Sequence, residues 1–106
     1  MGQAARAGEE ARRQPRDTVE YRARATGGDG RSLSLLVVNT STQGLMARCD
    51  HNVGVDERLR VTLPIVGEVS GVVRWSLGGR IGCELDAPIG TLRYYQMLRK
   101  VGHRPD

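Results

Sequence analysis

Phenylalanine is absent from this 106-residue chain, and tryptophan and tyrosine occur once and three times. A single-stranded nucleic-acid binder that works through successive base stacking therefore has few platforms to build with. Lysine is nearly absent too: Lys100 is the sole lysine among 16 basic residues, and the rest are arginine. No apolar run approaches the roughly 18 residues that a membrane-spanning helix needs, so no membrane insertion is expected. The first ten residues, MGQAARAGEE, lack the apolar stretch of a secretory signal, and Arg6 stands where a myristoylation motif needs Ser or Thr. A cytoplasmic protein is expected. Cys49 and Cys83 are the only cysteines. Each alternates with apolar neighbours, the pattern of a reduced core thiol, and with His51 they fall short of a four-ligand zinc set. No metal and no cofactor are expected. His51 and His103 have no nucleophile at a recognisable spacing, so catalysis finds no support and the chain reads as a non-enzyme.

What is present is a net charge of +4 carried almost wholly by arginine. That bias favours planar, bidentate contacts to phosphate or guanine over diffuse attraction. The length suits one domain with one core. Residues 1–17 lack a periodic apolar pattern and read as a flexible basic arm, with Arg6, Arg12, Arg13 and Arg16. From Thr18 the chain alternates: Val19, Tyr21, Ala23 and Ala25 on one face, Thr18, Glu20, Arg22 and Arg24 on the other, the mark of a half-buried strand.

Five further strands follow, at Leu33–Val38, Leu45–Cys49, Leu59–Leu63, Val69–Trp75 and Arg80–Leu85. The last two are joined by a glycine-containing hairpin turn at Ser76–Gly79. Six short strands at close spacing predict an all-β barrel. Tyr21 and Trp75 alternate with apolar residues, which places both in the core. Thr91 is suited to cap a short helix at about 91–101, in which Tyr94, Met97, Leu98 and Val101 share a face and Gly102 provides a stop. Tyr94 and Tyr95 are expected to help dock that helix. Residues 18–102 thus form the folded unit, and 103–106 a disordered tail.

Two clusters remain, Arg12-Arg13-Gln14-Pro15-Arg16 before the first strand and Asn39-Thr40-Ser41-Thr42-Gln43-Gly44 between the second and third. They resemble the RxxxR and [D/N]xSxxG motifs of the PilZ domain family, in the same order and around the same strands. Val73-Arg74-Trp75 followed by Arg80-Ile81-Gly82 is similar to that family's closing hairpin. The resemblance implies a six-stranded antiparallel barrel with a C-terminal helix that serves as a receptor for the bacterial second messenger cyclic di-GMP. Arg12 and Arg16 would contact guanine edges and phosphates, with Arg13 as an extra cation. Asn39 and Ser41 would offer an amide and a hydroxyl to orient the ligand, and Gly44 would allow close backbone approach.

The chemistry fits such a ligand, because a guanidinium forms a bidentate pair with guanine O6 and N7, grips a phosphate and stacks on a base. Ordering of the arm on binding would alter a surface read by a downstream protein effector. Two alternatives stand beside this reading: a barrel that works as a ligand-independent adaptor, and a small nucleic-acid-binding barrel, which the scarcity of aromatics makes the weaker.

Overall fold

The computed structural model describes residues 16–102. Six antiparallel strands close into a barrel in the order β1-β2-β3-β6-β5-β4, with β4 returning to β1. They are β1 (Asp17–Thr26), β2 (Ser32–Thr40), β3 (Gly44–Cys49), β4 (Arg58–Leu63), β5 (Gly67–Leu77) and β6 (Arg80–Leu85), followed by one helix, α1 (Thr91–Leu98). Closure removes the unpaired edges that a six-stranded open sheet would present. Every strand expected from alternation is present, with bounds differing by a few residues.

The interior is filled by the inward set of each strand. Leu35, Ala47 and Val73 are fully shielded, and Leu59, Val61 and Ile81 nearly so. Cys49 and Cys83 are buried and unbridged in this core. Burial pushes the Cys83 thiol up to about 11. Because the native state holds that proton more tightly than the unfolded chain does, the associated stability is intact below about pH 9 and declines as pH rises toward 11. We expect a thiol reagent at pH 8 to leave native Cys83 unmodified on the timescale in which it titrates the unfolded chain; rapid native labelling would contradict its burial.

The β5–β6 hairpin turns through Gly78 and Gly79, both with positive φ (61° and 79°), which is the two-residue geometry that matches strand twist. At the opposite end of the barrel α1 acts as a plug. Tyr94, Met97, Leu98 and the following Val101 are buried there, whereas Tyr95 is 56% exposed. Only Tyr94 of the two adjacent tyrosines docks the helix. The helix is shorter than its apolar pattern suggested, ending at Leu98, and its N-cap is Gly90 with no side-chain cap. Thr91 is inside the first turn and does not cap it. Lys100 N–H bonds to the Met97 carbonyl at 2.8 Å, so the chain tightens into turns before Val101 packs.

Candidate functional site

Two elements meet where β1 begins and β2 ends. Asp17 pairs with Thr40 and Thr18 with Asn39, so Arg16 emerges beside the β2–β3 turn. A register shift between Val37 and Asn39 decides what faces out. Along β2, Leu33, Leu35 and Val37 point inward, and unbroken alternation would send Asn39 inward with them. The bulge adds a residue, Thr40 takes the inward position, and Asn39 is turned to the outer face. There Arg16 Nη1 donates to Asn39 Oδ1 at 2.8 Å. The described member of the RxxxR cluster and the first residue of the second cluster are therefore in direct contact. Arg12 and Arg13 lie outside the described residues.

The remaining motif residues shape the turn. Ser41 is buried, and its Oγ accepts the Gln43 N–H at 3.1 Å, the local bonding that lets Ser define a tight turn. Ser41 N–H bonds to the Gly44 carbonyl at 2.9 Å, and the Gln43 and Thr42 carbonyls accept from Leu85 and Ile89. Gly44 starts β3 opposite Glu84, and a Cβ there would lie 2.7 Å from the Cys83 carbonyl oxygen. Its glycine is required by space rather than by backbone angle.

Tyr94 locks the junction from beneath. Its hydroxyl lies 2.5 Å from Asp17 Oδ2 and 3.0 Å from the Thr40 carbonyl. Burial and the Asp17 carboxylate raise the phenol's pKa well above its ordinary value, so it remains a donor. The helix thus ties together the residue after Arg16 and the residue after Asn39.

Alternation along β5 misplaces one residue. A register shift between Val73 and Trp75 rotates Trp75 out of the core, and it is 39% exposed. Its indole lies over Gly82, where a Cβ would come within 2.1 Å of Nε1. The cross-strand partners run Asn39 to Met46, Met46 to Gly82, Gly82 to Trp75. At a strand spacing of about 4.8 Å, this outer-face row spans roughly 14 Å between the backbone positions of Asn39 and Trp75, and the indole leans back over Gly82 toward the amide. The overlooked signal was Gly82 itself, a mid-strand glycine with no turn to make, which often marks close approach of another group. Two residues further along the strands, on the same face, Arg48 stands directly opposite Arg80, both exposed. Directly opposed like charges cost stability unless an anion comes between them.

Arg74 is engaged differently, with its Nε 2.7 Å from Glu84 Oε1. The face can therefore present guanidinium groups, an amide and an aromatic plane to a ligand that is anionic and flat in parts. Among the described residues no group of three or more His, Cys, Asp and Glu side chains is placed to hold a metal ion, and no helix is long and apolar enough to cross a membrane.

No family model matches the sequence, and no curated protein matches it either. Among solved structures, the fold is similar to the PilZ domain with c-di-GMP of YcgR from Escherichia coli, with a TM-score of 0.59 and 13% sequence identity over 84% of this chain and 87% of that one.

Proposed function

On the premise that this chain has a PilZ-like fold, we propose that it is a receptor for cyclic di-GMP, acting by binding rather than catalysis. The observation that carries this reading is the Arg16–Asn39 contact at 2.8 Å, on the same outer face as the row that ends at Trp75. Cyclic di-GMP presents two guanines and two phosphates in a compact ring. Arg16, with Arg12 and Arg13, supplies forked donors for guanine edges and phosphate oxygens. Asn39 offers both a donor and an acceptor, Ser41 and Gly44 set the turn that aims it, and Trp75 supplies a stacking plane. Arg48 and Arg80 add positive potential to that face.

A receptor of this kind needs a reader. Leu92 and Tyr95 are 72% and 56% exposed on α1, the helix whose Tyr94 is bonded to Asp17 and Thr40 at the edge of the site. Docking of a protein effector on that helix would couple to the arm through the same junction. The exposed helix face also gives the ligand-independent adaptor its one structural support.

Calorimetric titration of the full chain with cyclic di-GMP, with GMP and cyclic di-AMP as controls, tests the proposal. Saturable, selective binding that is lost in a folded Arg12→Ala/Arg16→Ala variant is the expected result. Trp75 is the only tryptophan, so a change in its emission at the same saturation point is expected as well. A folded parent protein that takes up no cyclic di-GMP would leave the adaptor reading in place.

A further inference from the structure

A second basic surface lies away from the Arg16–Asn39 junction, on the outer face of β1 and β4. Arg22 and Arg24 alternate outward along β1. Arg60 of β4 is directly opposite Thr26, which continues the β1 series. All three arginines are exposed, and none forms an ion pair among the described residues, in contrast to Arg31, Arg58 and Arg74. Arg22 has a single long hydrogen bond, 3.5 Å to Ser34 Oγ.

The surface is concave. A groove of about 690 Å³ is lined by Arg22, Arg24, Ser32, Ser34, His51 and Thr62, among others. A second depression of about 290 Å³ shares Thr26 with it and is walled by Arg58, Arg60 and Ser70. No carboxylate lines either depression. Acidic residues stand around the patch: Glu20 precedes Arg22 on the same face of β1, Glu68 lies across the β4–β5 pairing from Thr62, and at the second depression Glu57, which accepts from Gly28 N–H, and Asp86 are already paired with Arg31 and Arg58. Solvated charge on a strand face is commonly mixed in sign, and three unneutralised guanidinium groups ringed by hydroxyls form a set of donors that lacks its acceptors.

We propose that this groove binds an acidic, extended segment of a partner protein. Arg22 and Arg24 are two residues apart on a strand, about 6.7 Å. Acidic side chains at every second position of an extended segment have the same repeat, so two successive carboxylates meet two successive guanidinium groups, each able to bond bidentately. Arg60 takes a third acidic group beyond Thr26, and the flanking hydroxyls bond to backbone or to the remaining carboxylate oxygens. A nucleic acid fits less well. The groove has no Phe, Tyr or Trp for base stacking, His51 being its one ring, and three cations are few for a duplex interface, which typically covers about 1,000 Å² or more of protein. Arg22 and Arg24 lie about 13 and 20 Å along β1 from Thr18, the partner of Asn39, so the groove is a surface separate from that junction and its binding is tested without nucleotide.

The test is fluorescence anisotropy of the full chain, without nucleotide, using a labelled synthetic peptide in which Glu alternates with Ser. Saturable binding that weakens with added salt is expected, with a loss of roughly tenfold or more in an Arg22→Ala/Arg24→Ala/Arg60→Ala variant. An Arg93→Ala/Arg99→Ala/Lys100→Ala variant removes the same charge from the helix side and is expected to stay within about twofold of the parent protein. Matching circular dichroism spectra establish that both variants are folded. Equal losses in both variants would reduce the effect to net charge, and absence of saturable peptide binding would overturn the proposal. Tighter binding of a labelled DNA duplex that depends on the same three arginines would also overturn it, by making the groove a nucleic-acid surface.

Discussion

Replacing Gly44 by alanine is expected to destabilise the barrel by about 1–3 kcal/mol, the usual cost of forcing an extra carbon into packed surroundings. The new Cβ would lie 2.7 Å from the Cys83 carbonyl oxygen. That atom belongs to the backbone of β6, so relief requires β3 and β6 to move apart where Gly44 pairs with Glu84. The same shift would disturb the bonds from Ser41 N–H and Thr40 Oγ1 to the Gly44 carbonyl, 2.9 and 3.2 Å. Urea denaturation provides the measurement, with a lower midpoint at unchanged slope as the expected result. Gly82→Ala is the informative contrast. Its Cβ meets the Trp75 indole at 2.1 Å, but that ring is partly exposed and can swing away, so its cost in stability should be smaller while the tryptophan emission changes. A Gly44→Ala protein with the parent midpoint would show that the site glycine is not held by packing.

The strands were legible because alternation is a local signal: Leu59, Val61 and Leu63 are buried in step with exposed Arg58, Arg60 and Thr62. The closing pattern of β3 on β6 and β4 on β1 is not local: strand spacing pointed to a barrel and the resemblance to its six-stranded antiparallel form, but neither named these strand partners. What alternation could not convey were the register shifts, at Thr18/Tyr21, Val37/Asn39 and Val73/Trp75. A bulge is defined by two residues opposing one on the neighbouring strand, so it is a property of a pair of strands that neither sequence segment carries alone. Two of the three shifts act directly on the candidate site, one turning Asn39 outward and the other bringing Trp75 out of the expected core. The Asn39–Gly44 cluster was readable as a motif, yet its residues divide by role. Asn39 faces the surface, whereas Ser41 is buried and Gly44 sits where β3 passes closest to β6. Tyr94 left no signal beyond an apolar helix face, because its hydroxyl finds Asp17 across 77 residues of chain.

Truncating Arg16 to alanine should weaken cyclic di-GMP binding by roughly fivefold to a hundredfold or more, the worth of about 1–3 kcal/mol for one bidentate guanidinium–guanine contact. Stability should change little, since Arg16 is exposed and precedes the first strand. The more searching measurement pairs it with Asn39→Ala in a double-mutant cycle read by calorimetry. Arg16 Nη1 is 2.8 Å from Asn39 Oδ1, and residues in contact commonly show coupling of about 0.5–3 kcal/mol. If Asn39 acts by aiming the guanidinium, the double variant will bind no worse than Arg16→Ala alone. Full additivity would instead mean that the amide and the guanidinium grip separate parts of the ligand, and that their contact belongs to the empty site only. The bulge at Val37/Asn39 favours coupling: a barrel that spends a register shift to turn one amide outward, directly under the arginine that enters beside it, has fixed the direction of that arginine before a ligand arrives.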